Sequence, residues 1–466
     1  MPRGYVWHSP QLRYEWREFM GESYIGFIGM QAEILHRYTK APIGTDMMQA
    51  YGVPYEKMLK HIDMIQFNHY DDQNNQIHAA FWFDYLRGLK AVPFWVTETA
   101  TCWNGGTTTP NGYRPEGFCR ANSWLPIIWG GGANMYWLWR QHWAGHELMH
   151  GAVLYSSSRP MHIFDEVRET ACGFEKAGDF LSETEVKTDT AMILSSKSRL
   201  LTECQHIAET YEPGGDGLLR FYRYMNQSGI RPDVINAGKD FSEYKLVFAP
   251  YLTTLEEENL SERLKSWVKA GGVLVAGPLT DMRDDVGAKY TDRELGMLEK
   301  FTGADMVYQV PDHSFLTSCK WSDGEEYKAL HYLQMFDIPA DATPLVTVES
   351  GFSCFVGKTL IFKKRIGKGA VLMIGALPDD TNAARLMSVA AEMSGISVFK
   401  TEGSIVAARR EGENRRGLAV QEISGNPGKI YFDSVMTDIL TGEVCSGEAY
   451  LAPFASRILE FSRNDF

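Results

Sequence analysis

Residues 93–103 (PFWVTETATCW) form a short apolar, aromatic and β-branched run that ends in one carboxylate, Glu98, followed by small residues and Trp103. A buried parallel strand has this composition, and parallel βα barrels carry their chemistry at the C-terminal ends of such strands. One acid walled by aromatics suits attack on a sugar-like cation, or its stabilisation. A polar strand cap or a salt bridge at the core edge fits the same pattern. A second run, residues 62–70 (IDMIQFNHY), closes on Tyr70 beside Asn68, His69 and Asp71. A phenol there can hydrogen-bond a carboxylate and keep it ionised and aimed, or simply pack at a strand end.

Further on, WLWRQHWAGHELMHG places Glu147 and His150 three residues apart. On a helical turn they share a face. Such a pair can hold two sugar hydroxyls, one partner accepting and one donating. Glu-x-x-His is also the di-iron spacing, but that site needs a second copy and more Glu ligands, and no second copy is found. His146 to His150 matches HExxH letter for letter, the zinc-protease pattern. The match is short enough to arise by chance, it follows a predicted strand, and Gly145 and Gly151 flank it. Neither a metal nor a cofactor is assigned.

The 46 basic and 59 acidic residues give a net charge of -13, which argues against nucleic acid and anionic membrane as partners. The chain is aromatic-rich. Trp95, Trp103, Trp124, Trp129, Trp137 and Trp139 crowd into 45 residues, with Trp143 just beyond. Indole faces stack on sugar C–H groups, and they also build large cores. The seven Cys show neither CxxC nor Cys/His spacing, so a reducing compartment is expected. With no apolar leader and no membrane-length run, the cytoplasm is the expected location.

A chain of 466 residues implies two or three domains. In residues 1–182, strands over 41–48, 62–70, 93–100 and 133–140 alternate with helices over 15–38 and 77–89, which indicates βα units and a parallel sheet. Phe19, Tyr24, Phe27, Ile28, Ala32, Ile34 and Leu35 supply the apolar side of the first helix. Residues 183–397 change rhythm. Short buried strands over 190–195, 244–249 and 272–276, with helices over 217–228 and 255–270, predict an open doubly wound α/β domain. Gly271-Gly272 fits no phosphate-loop pattern and reads as a turn. Residues 398–466 alternate and are cut by turns, as in a small antiparallel β domain.

Together these segments resemble glycoside hydrolase family 42, the β-galactosidases, over nearly the whole chain. The resemblance implies that Glu98 is the nucleophile, that Tyr70 reaches the site and that Trp103 stacks on substrate. The segment YWLWRQHWAGHELMHG resembles the family's WR…GxExxHG signature, which implies that Glu147 and His150 bind galactose hydroxyls. Residues 244–278 are similar to the family's middle domain, which implies a homotrimer and a glutamine amidotransferase-like layout. No Cys stands at a strand-to-helix elbow there, so amidotransferase chemistry is not expected. A retaining glycosidase needs two carboxylates roughly 5 Å apart. The Asn-Glu segment that carries the family's acid/base is not found. The expected fold is therefore a partial (β/α)8 barrel of about four βα units, then the trimerisation domain, then the β domain. The expected activity is release of terminal β-D-galactose from a galactoside, lost or weak without the missing N-terminal half-barrel. A non-catalytic galactoside-binding or scaffolding relative is the alternative.

Overall fold

Four parallel strands in the order β1 (Asp46–Met47), β2 (Gln66–Asn68), β3 (Trp95–Ala100) and β4 (Ala133–Trp137) carry the candidate site. They belong to a computed structural model that describes residues 9–49, 53–105, 112–205, 217–311 and 316–461. Each strand is shorter than its sequence run. The helices of this stretch are α1 (Pro10–Leu35), α2 (Tyr55–Met58), α3 (Gln76–Leu89), α4 (Phe118–Ile128) and α5 (Phe164–Glu183).

The two faces of this sheet differ. Met47, Phe67 and Val96 are buried, whereas Trp95 and Met135 are 38% and 41% exposed. Successive strand residues point to opposite faces, so one face is packed and the other is open. On the packed side, Phe81, Trp82, Phe83 and Leu86 of α3 are buried, and Phe67 stacks on Trp82 at 5.9 Å. Each such side chain contributes about 1.5–3 kcal/mol when fully buried. Of the clustered tryptophans, Trp124 and Trp129 are core, with Trp129 Nε1 donating to buried Asp84 at 2.9 Å.

Helix α1 begins five residues earlier and ends three residues earlier than its pattern suggested. Its expected apolar side requires correction. Phe19, Tyr24, Phe27, Ile34 and Leu35 are exposed, and the buried side is Tyr14, Ile25 and Ala32. Apolar residues lie on both sides of this helix, so periodicity alone could not choose between them.

The chain forms two compact units. One comprises Ile28–Ala50, Tyr55–Thr188 and Val398–Phe466, so residues 398–466, expected as a separate domain, share a unit with the four-stranded sheet. The short strand β5 (Glu185–Lys187) pairs antiparallel with Ile405–Glu411 and joins a seven-stranded sheet. Ile405, Val420, Ile430, Leu451 and Leu459 fill that sheet's core.

The other unit comprises Met1–Phe27, Tyr51–Pro54 and Asp189–Ser397. Its parallel strands run in the order Gly369–Ile374, Val273–Ala276, Leu246–Ala249, Thr190–Leu194 and Asp233–Asn236. All but the last are buried end to end, as parallel strands covered on both faces must be. Antiparallel strands extend this sheet to eleven, an extension absent from the sequence reading.

Candidate active site

Glu98 sits near the end of β3 and Tyr70 two residues beyond β2. Tyr70 Oη donates to Glu98 Oε2 at 2.6 Å, and His69 N donates to Glu98 O at 3.1 Å, so side chain and backbone both tie these strand ends. Burial raises the Tyr70 pKa far above that of a free phenol, and the hydrogen bond and charge of Glu98 add to it, followed by the charges of Glu147 and Asp46. The phenol therefore keeps its proton and acts as a donor.

Asp46, on β1, drew no attention in the sequence. Thr97 Oγ1 stands 2.8 Å from Asp46 Oδ1 and 3.0 Å from Asn68 Oδ1, with one proton to give to either. Nothing local marks Asp46 as functional; its partner is 51 residues away.

Glu147 and His150 lie on a single turn closed by His150 N donating to Glu147 O at 3.0 Å, not on a helix. The Glu147 side chain is 41% exposed, whereas His150 is buried. Trp137 Nε1 donates to Glu147 Oε2 at 2.9 Å, and His142 Nε2 lies 3.8 Å from the same oxygen. His150 Nδ1 lies 2.9 Å from Gly151 O. A carbonyl only accepts, so Nδ1 carries a proton. The His150 ring stands edge-on to Tyr70 at 6.3 Å.

Gly151 explains the end of the motif. Its N donates to Trp103 O at 3.2 Å, and a Cβ there would meet Cys102 Sγ at 2.6 Å and Trp103 O at 2.9 Å. The chain after His150 can run this close to the loop after β3 only without a side chain. Trp103 is fixed in the same contact, its Nε1 donating to Met149 O at 2.6 Å. One indole face stacks on His162 at 6.0 Å and 3°.

His146, Glu147 and His150 do not make a zinc site, since the helix that HExxH needs is absent. Among the described residues, no group of three or more His, Cys, Asp and Glu is placed to hold a metal. No described helix is long and apolar enough to cross a membrane.

Two family models match consecutive stretches of the chain. One is described as β-galactosidase and covers residues 1–177; the other, β-galactosidase trimerisation domain, covers 188–397. The chain belongs to glycoside hydrolase family 42. It is 28% identical to β-galactosidase YesZ of Bacillus licheniformis, over 98% of this chain and 69% of that relative. For YesZ of Bacillus subtilis the identity is 27% with the same coverages. Among solved structures, a catalytic mutant of Gan42B, a family 42 β-galactosidase from G. stearothermophilus, superposes with a TM-score of 0.89 at 22% identity, over 97% of this chain and 68% of that one. This family 42 chain thus has the family's mixed α/β fold and a sheet-rich C-terminal region.

Proposed function

We propose that the chain is the nucleophile-bearing part of a retaining galactosidase that releases terminal β-D-galactose. The observation that carries this reading is the 2.6 Å hydrogen bond from Tyr70 to Glu98 at the C-terminal end of a parallel sheet. Glu98 attacks the anomeric carbon and forms a covalent galactosyl-enzyme, which water then hydrolyses. Tyr70 aims the carboxylate. Glu147 and His150 hydrogen-bond galactose hydroxyls, and Trp103 offers its free face to the ring.

The second carboxylate is not assigned to this chain. The Asn-Glu segment that carries the family's acid/base is not found in the sequence. Parallel sheets are ordinarily covered on both faces, and here one face shows Trp95 and Met135, with Ile34 also exposed in the same unit. We assign these surfaces to the remaining βα units of a (β/α)8 barrel, which also supply the acid/base.

Mass spectrometry after reaction with dinitrophenyl 2-deoxy-2-fluoro-β-galactoside tests the nucleophile. One galactosyl adduct is expected on Glu98 and none on the Glu98→Gln variant; an adduct on another residue rejects the assignment. The alternative, a galactoside-binding relative without catalysis, gains support from the open sheet face. It requires galactose binding that Glu98→Gln leaves intact and no adduct at all.

We also infer a homotrimer built by residues 183–397 and a cytoplasmic location. Sedimentation equilibrium is expected to give three times the chain mass, and a monomer at micromolar concentration rejects the trimer.

A further inference from the structure

Arg114 is buried, although arginines seldom are without close pairing. Its pairing is loose. Nη2 lies 3.5 Å from Tyr70 O, Nη1 lies 3.8 Å from Asp72 Oδ2, and Nε has no partner. Its backbone N donates to Cys102 O at 2.7 Å, a short bond. Arg114 thus stands on the loop after β3, where its main chain closes onto Cys102, and its side chain reaches the loop after β2. Those two loops leave the strand ends that carry Tyr70 and Glu98.

A second buried charge lies beside the same turn. Asp71 has His78 Nδ1 at 2.9 Å and His69 Nδ1 at 3.6 Å, and Gln49 Nε2 also donates to it. Trp82 Nε1 donates to His78 Nε2 at 3.2 Å, so that nitrogen accepts and Nδ1 holds the proton given to Asp71. Burial opposes the charge on Asp71, but interactions with His69 and His78 outweigh it and hold the carboxyl below its ordinary range. Desolvation meanwhile pulls the Arg114 pKa down, and the charges of Asp72 and Asp71 act against that fall.

We propose that Arg114 is a positioning residue that sets the Tyr70–Glu98 hydrogen bond by strapping the loops after β2 and β3 together, with Asp71 as the fixed anchor of the turn. The inference rests on the galactosidase reading for its catalytic meaning but not for its geometry. The Tyr70 backbone cannot shift without disturbing its carbonyl contact to Arg114 or the anchoring of Asp71.

The test uses the full chain with 3-fluorotyrosine incorporated, the Tyr70 resonance being identified by its loss in Tyr70→Phe. Arg114→Met and Asp71→Asn are expected to move that ¹⁹F resonance toward its position in Glu98→Gln. Arg114→Lys, which can still donate to Tyr70 O, is expected to restore most of the shift. In labelling with the fluorinated galactoside, Arg114→Met is expected to lower the inactivation rate constant about tenfold, as misplacement of reacting groups does. The inhibition constant should stay within about twofold, since Arg114 does not touch the sugar. A merely structural role would instead lower the melting temperature and leave the resonance of the folded protein in place. An unmoved Tyr70 resonance in Arg114→Met overturns the proposal; should that variant not fold, Arg114→Lys and Asp71→Asn decide it the same way. If the wild-type chain takes no label, the galactosidase reading fails while the resonance still decides the role of Arg114.

Discussion

Purified alone, this chain is expected to discriminate steeply between galactosides by leaving group. Dinitrophenolate departs without a proton, so Glu98 can displace it unaided. An alkoxide such as that released from lactose or methyl β-galactoside needs protonation as the bond breaks. General acid catalysis contributes about 10²–10⁴-fold. A chain with nucleophile but no acid forfeits that factor on alkyl substrates and little of it on dinitrophenyl galactoside. Measured kcat/KM should therefore depend strongly on leaving-group acidity, with lactose hydrolysis at background. Comparable rates on both substrates would show that an acid is present in the chain and would sink the incomplete-pair reading. Adding a polypeptide that supplies the remaining βα units should flatten the dependence by restoring the alkyl substrates alone.

What the sequence revealed of this site divides along chemical lines. Glu98 and Tyr70 stood out because an apolar strand that stops at a polar residue is a local signal, and the 2.6 Å contact between them agrees with their implied pairing. The role of Trp103 came from the family resemblance, and Glu147 and His150 stood out by their spacing. Their geometry was not legible, because a helical turn was assumed where the backbone makes one isolated turn that buries His150 and leaves Glu147 half exposed. Asp46, Arg114 and His162 were missed for a common reason. Each acquires meaning from a partner 44 to 59 residues away or more, as in Arg114 to Tyr70 and Trp103 to His162. Pairwise proximity of that kind has no period and no motif.

The same division holds for the fold. The buried strands of the second unit were readable as continuous apolar runs, whereas its antiparallel extension alternates and is broken by bulges, as between Met306 and Tyr308. The helix α4 was hidden by Pro126 in its last turn. Its other residues are buried nearly all round, which removes the amphipathic stripe that would announce a helix.

Arg410→Met is expected to cause the largest loss of stability from a single exposed-looking sequence position. In the alternating run that contains it, Arg410 reads as a solvated strand residue, yet it is buried. Its guanidinium donates to Leu181 O at 2.8 Å, Thr184 O at 2.7 Å, Thr184 Oγ1 at 3.0 Å and Ile127 O at 3.4 Å. These acceptors cap the last turns of α4 and α5, and planar arginine can reach them together where lysine cannot. Methionine fills much of the volume but leaves several buried carbonyls unpaired, at a cost of about 3–5 kcal/mol, the range for breaking a buried charge network. A melting temperature lower by roughly 10 °C is the expected readout. Arg409→Met, whose guanidinium is partly exposed and 4.0 Å from Glu411, should change stability by less than about 1 kcal/mol. The helix C-termini lie at the opposite end of the βα layer from Glu98, the end that serves stability rather than chemistry in such folds. Folded Arg410→Met should therefore label at Glu98 at the wild-type rate below its transition. Loss of labelling in parallel with lost activity at temperatures where the variant remains folded would instead couple this anchor to the site.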